Sequence, residues 1–143
     1  MNVRPAGGGI DFNHVISLTI EESYMATVTD SLKEILRADG AICAALVDSN
    51  SGMMLGSAGS GVDLELAAAG NTEVMRAKLK TMKSLALDDK IEDILITLGK
   101  QYHILRPLQA KAGIFIYLVL DRSKANLALA RRVCQDAEAT FTI

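Results

Sequence analysis

The residues in this sequence that could do chemistry are few, and their spacing argues against most of the chemistry they might serve. Two cysteines, Cys43 and Cys134, fall in an apolar strand-like run and on an apolar helical stripe, so they read as reduced core thiols. No histidine or third cysteine stands at metal-ligand spacing from either. The two histidines, His14 and His103, lie far apart on strand-like segments, with no cysteine or serine placed to be activated by them. Asp88, Asp89, Glu92 and Asp93 form an acidic cluster broken by Lys90. Paired carboxylates can hold a metal or move protons, but here they sit in a turn beside lysines and read as solvated charges. Gly56-Ser57-Ala58-Gly59-Ser60-Gly61 follows a strand and precedes a helix, a place where backbone N–H groups can hold a phosphate. It lacks the lysine and hydroxyl of a phosphate loop and does not follow G-x-G-x-x-G, so it reads as a flexible connection. No cofactor, catalytic residue or metal ligand is expected.

One constellation keeps a functional reading. Arg76, Lys80 and Lys83 stand at i, i+4 and i+7 on a helical segment, with Lys78 beside them. They share a face that is either solvated, its cations suiting a helix C-terminus, or a basic docking surface for a partner.

The elements that must carry these residues are well signalled. Ile114–Leu120 is a run of seven apolar residues rich in β-branched and aromatic types, about 23 Å as a strand. Lacking polar alternation, it fits a central strand covered on both faces. Leu127, Ala130, Cys134, Ala137 and Phe141 then recur at helical spacing, with Ser123 or Asp121 available as cap. Upstream, Met25, Val28, Leu32 and Ile35 or Leu36 form the stripe of a helix opened by a capping box at Thr19 and Glu22. Asp39-Gly40 closes it. Ala41–Asp48 and Met53–Ser57 form a hairpin around Ser49-Asn50-Ser51-Gly52. Val62–Leu87 reads as a long helix with Leu64, Ala68, Met75, Leu79, Met82 and Ala86 near one face, and with a kink or break expected at Gly70-Asn71-Thr72. Strands follow at 92–98 and 101–110, joined by Gly99-Lys100, with Pro107 marking an irregularity. Met1–Gly9 reads as a tail. Ile10, Phe12, Ile16 and Leu18 alternate with polar residues, as in an extra edge strand or an arm laid on a partner.

Composition bounds the function. The 143 residues are half hydrophobic, which fits one folded domain, here 19–143 after a 1–18 extension. A net charge of −2 and 4% aromatic residues argue against nucleic-acid binding. No apolar run approaches the ~20 residues of a membrane span, so direct membrane insertion is not expected. The first residues show no secretory core, so a cytoplasmic location is expected.

Three pieces in this order resemble the roadblock family, the dynein light-chain and bacterial small-GTPase-partner proteins: ALVDSNSGMMLGSAG (45–59), IFIYLVLD (114–121) and ANLALARR (125–132). The resemblance covers about 28–141. It implies a profilin-like α/β/α sandwich of α+β class, with a five-stranded antiparallel sheet, one long helix on one face and two on the other. It also implies a two-fold homodimer in which the long helix and the strand after it meet their copies, placing Met75, Leu79, Met82, Asp93, Leu95 and Thr97 at the interface. By the same resemblance the work is non-enzymatic: binding a Ras-like small GTPase, in one branch accelerating GTP hydrolysis without an inserted arginine finger. The GTPase-facing surface is then the paired middle helices, here the 73–83 region with Arg76, Lys80 and Lys83. The alternative is a structural subunit of a motor or other complex with no GTPase partner.

Overall fold

The computed structural model describes residues 28–141, so the tail, the alternating segment at 10–18, His14, Met25 and the capping box at Thr19 and Glu22 lie outside the described residues. Helix α1 is described over residues 28–35. It leads through Gly40, whose φ of +79° is the left-handed closure expected there. A side chain at Gly40 would also meet Ala125 N at 2.8 Å. Strands β1 (Ala41–Asp48) and β2 (Met53–Gly59) form the hairpin, with Gly52 at φ +76°. Helix α2 (Leu64–Ser84) precedes β3 (Ile94–Thr97), β4 (Gln101–Pro107) and β5 (Ile114–Asp121), and α3 (Leu127–Glu138) closes the fold.

The strands form one antiparallel sheet in the order β2-β1-β5-β4-β3. The apolar run at 114–120 is therefore the central strand, buried from Phe115 to Leu120. Alternation along the strands divides the core into two layers. On one face Ala44, Leu46, Ile104, Ile116 and Leu118 pack against Val28, Leu32 and Ile35 of α1 and Ala130, Cys134 and Ala137 of α3. On the other, Cys43, Ala45, Val47, Phe115 and Tyr117 pack against Ala68 and Met75 of α2. This is the α+β sandwich expected, one long helix on one face and two on the other.

Several local expectations need correction. The long helix is 21 residues and runs unbroken through Gly70-Asn71-Thr72. Thr72 is buried and its hydroxyl donates back to the Ala68 carbonyl at 2.7 Å, which keeps the residue within the helical ladder. Asp63 caps α2 by accepting from Leu66 N. The cap of α3 is Asn126, accepting from Leu129 N at 3.0 Å, whereas Asp121 instead braces the preceding turn through Ser123. Strand β2 extends to Gly59, so most of the glycine-rich stretch is strand and not connection. Gly56 is required there: a Cβ would lie 2.5 Å from Val28 Cγ1 of α1. Strand β4 ends at Pro107, two residues past its last pairing with β3, where a missing N–H costs no ladder bond to that neighbour.

Candidate functional site

The outer face of α2 and the β3 edge of the sheet make the candidate site. Ala68, Thr72, Met75 and Met82 turn inward, Leu64, Ala67 and Asn71 are half-buried, and the other residues of the helix are exposed. Leu79, expected on the same stripe, is 49% exposed, and Val74, Leu85 and Leu87 are exposed with it. Ala86 lies beyond the helix at φ +55°. Lys78, Lys80 and Lys83 are exposed and form no ion pair among the described residues. Arg76 differs. Its Nη2 donates to the Asn50 carbonyl at 2.8 Å and its Nη1 faces Glu73 at 3.4 Å, so it ties α2 to the β1–β2 turn. Of the three cations expected to act together, Arg76 is thus tethered, while Lys80 and Lys83 form no ion pair among the described residues.

The acidic turn is also heterogeneous. Asp88, Asp89 and Glu92 are exposed. Asp93 is not a solvated charge: it accepts two bonds from Arg131 of α3, at 2.8 and 3.1 Å. That bidentate pair holds the Arg131 pKa above its usual range, chiefly through the hydrogen bond. Beside it, Arg106 of β4 faces Glu138 of α3 at 3.6 Å, both only 13% exposed, and Glu138 also accepts from Gln109 N. None of these partners is legible from local spacing, because each bond joins elements distant in sequence.

Strand β3 is a sheet edge, paired to β4 on one side and to nothing among the described residues on the other. Its two faces both carry apolar residues: Ile94 packs toward the α2 layer and Leu95 toward the α1/α3 layer. Both faces of the strand therefore meet the core, Leu95 through contacts of its own. Thr97 is exposed. A groove of about 300 Å³ opens between α2 and the β4–β5 turn, lined by Met75, Leu79, Ile91, Leu108 and Phe115.

On the α2 face, the Tyr117 hydroxyl donates to His103 Nδ1 at 3.0 Å, and His103 Nε2–H donates to Gln101 Oε1 at 2.9 Å. The rings meet edge to face at 5.5 Å. Burial lowers the His103 pKa and, with the nearby Cys43, pushes Tyr117 up to about 12. This arrangement fixes a neutral imidazole between two partners and leaves no nitrogen free to act on a substrate. Cys43 and Cys134 are both free thiols and buried. Burial raises both pKa values, that of Cys134 to about 12, so neither is a nucleophile in place. Among the described residues no group of three or more His, Cys, Asp or Glu could hold a metal ion, and no helix is long and apolar enough to cross a membrane.

No protein-family model matches the sequence, and no curated protein matches it. Solved structures do match in shape. MglB of Myxococcus xanthus superimposes with a TM-score of 0.66 at 18% identity, covering 84% of this chain and 92% of its own. The gliding protein MglB of Thermus thermophilus gives 0.71 at 18% identity, over 83% of this chain and 88% of its own. A Roadblock/LC7 domain from Streptomyces avermitilis gives 0.67 at 11% identity, over 77% and 90%. The chain has the roadblock fold. The resemblance carried by the hairpin, the central strand and the last helix is met by the same architecture in three dimensions.

Proposed function

We propose that this chain is a non-enzymatic, homodimeric regulator or scaffold that binds a Ras-like small GTPase through the outer face of α2. The observation that carries the reading is the exposed run Val74, Lys78, Leu79, Lys80 and Lys83 on α2, in a fold whose β3 edge is unpaired among the described residues. Exposed large apolar residues interleaved with unpaired cations suit a protein partner better than water. In the dimer, β3 pairs with its copy, with Met75, Leu79, Met82, Asp93, Leu95 and Thr97 at or beneath the seam. An unblunted edge is a template for such pairing. The roadblock resemblance supplies the partner class, and the tethering of Arg76 agrees with a mode of action that inserts no arginine.

The experiment is affinity capture on the wild-type chain and on a Lys80→Glu/Lys83→Glu variant, with GDP and with a non-hydrolysable GTP analogue. The expected result is a small GTPase held in the GTP-like state and lost, about tenfold or more in affinity, with the reversed charges. Hydrolysis rates with and without the chain then separate activation from tethering. Retention of the GTPase by the variant would move the site elsewhere, and partners lacking any GTPase would make the chain a structural subunit.

A further inference from the structure

A chain of polar side chains crosses the layer beneath α2 and ends on the helix itself. His103 Nε2–H donates to Gln101 Oε1 at 2.9 Å within β4, and the Tyr117 hydroxyl of β5 donates to His103 Nδ1 at 3.0 Å. Asn71 of α2 is half-buried and donates a side-chain N–H to the Tyr117 oxygen, which favours the ionised phenol against the effect of burial. Thr72, the other inward polar residue of α2, is spent on the Ala68 carbonyl of its own helix. The remaining inward residues, Leu64, Ala67, Ala68, Met75 and Met82, are apolar. Asn71 is thus the point at which the buried side of the helix is tied to the sheet by a polar bond.

We infer that Asn71, Tyr117 and His103 form an acid-sensitive latch that holds α2 on the sheet while the imidazole is neutral and loosens it when the ring takes up a proton. Each link in the chain has a direction. A protonated His103 carries N–H on both nitrogens, so Nδ1 no longer accepts and Tyr117 must turn to accept from it. The hydroxyl proton then meets the Asn71 N–H that had been donating to the same oxygen, and the tie to α2 is lost until that amide turns over. The new charge also lacks compensation. Its cross-strand neighbours are Ile96 of β3 and Val119 of β5, both apolar. Cys43 of β1, Tyr117 of β5, Gln101 of β4 and Asn71 of α2 are the polar or titratable groups within the layer. Asp121 stands opposite Gln101 at the end of β5, but its Oδ1 accepts from the Ser123 N–H and hydroxyl. Lys78, two turns beyond Asn71 on α2, is exposed and of the wrong sign to hold an imidazolium. Burial accordingly lowers the His103 pKa, and a proton is better held with the helix lifted and the ring in water. The latch stands apart from the partner proposed above: it governs how firmly α2 lies, whatever α2 meets.

The test is hydrogen exchange of the full chain, read by NMR at about pH 7.5 and about pH 5.5, each rate divided by the amide's intrinsic rate to give an opening constant. Opening of residues 68–75 in α2 is expected to rise about threefold or more at the lower pH, while that of residues 130–137 in α3 stays within about twofold. In His103→Gln the rise in α2 should vanish. Asn71→Ser has a similar helix propensity and a side chain too short to reach the hydroxyl. Its α2 should open more readily already at the higher pH and respond less to acid. An α2 opening constant that ignores pH in the wild type, or an equal rise in α3, would overturn the latch. So would a rise that persists in His103→Gln, or an Asn71→Ser variant that opens as the wild type does at both pH values.

Discussion

The two faces of the sheet are covered in different ways, and the difference separates a closed core layer from one whose covering helix leaves apolar residues exposed. The α1/α3 face is closed by two helices, with Val28, Leu32, Ile35, Ala130 and Cys134 fully buried and two ion pairs sealing its rim. The α2 face is closed by one helix that buries four residues and leaves Leu66, Val74, Leu79 and Leu85 exposed. Its polar members, His103, Tyr117 and Gln101, bond one another on the sheet. The first face behaves as a core. The second behaves as half of one.

Substitutions can break or sharpen that contrast. Leu32→Ala, on the closed face, should cost about 3 kcal/mol or more in urea unfolding, whereas Leu79→Ala should stay within about 0.5 kcal/mol. Equal costs would erase the distinction. At the rim, Glu138→Ala leaves the Arg106 guanidinium nearly buried, with an Nε that already lacks a partner, and should cost about 1–3 kcal/mol. Replacing both Arg106 and Glu138 by methionine should recover much of that loss. On the α2 face, Tyr117→Phe should cost about 1 kcal/mol, the hydroxyl's bond to His103 being the part removed. The smallest effect is on pH dependence. The His103 pKa is lowered below its ordinary 6.5, so the folded chain favours the neutral ring. Its contribution is therefore present above about pH 6.5 and lost as pH falls below it. The unfolding free energy of the wild type should drop from about pH 7 to about pH 5.5 by more than that of His103→Gln.

The proposed dimer is best tested away from Leu95, whose replacement would also disturb the α1/α3 layer. Thr97→Asp places like charges near the two-fold seam and should shift light scattering toward the monomer. A dimer that persists would count against pairing through β3.

What can be read beforehand follows how local the cause is. Ala41–Asp48, the turn at Gly52, the left-handed Gly40 and the buried strand from Ile114 are set by their own residues, and the sequence signals all four. The glycine-rich stretch reads as a mere connection because its purpose is set by Val28, nearly thirty residues away, which needs Gly56 beneath it. Asp93 reads as a solvated charge because Arg131, 38 residues on, gives no local sign of the pairing. Of the candidate site, the cations of α2 are legible by spacing, but the tie between Arg76 and Asn50 is not, since it depends on how the helix lies over the hairpin turn.

The two buried thiols give the protein a clock of its own. Cys43 of β1 lies beneath α2 and Cys134 is on the inward face of α3, and the sequence has no other cysteine. An alkylating reagent that ignores the folded chain will mark each sulfur only when its layer opens. Mass spectrometry of the two peptides over time then reports which layer parts first, with no mutation and no added label.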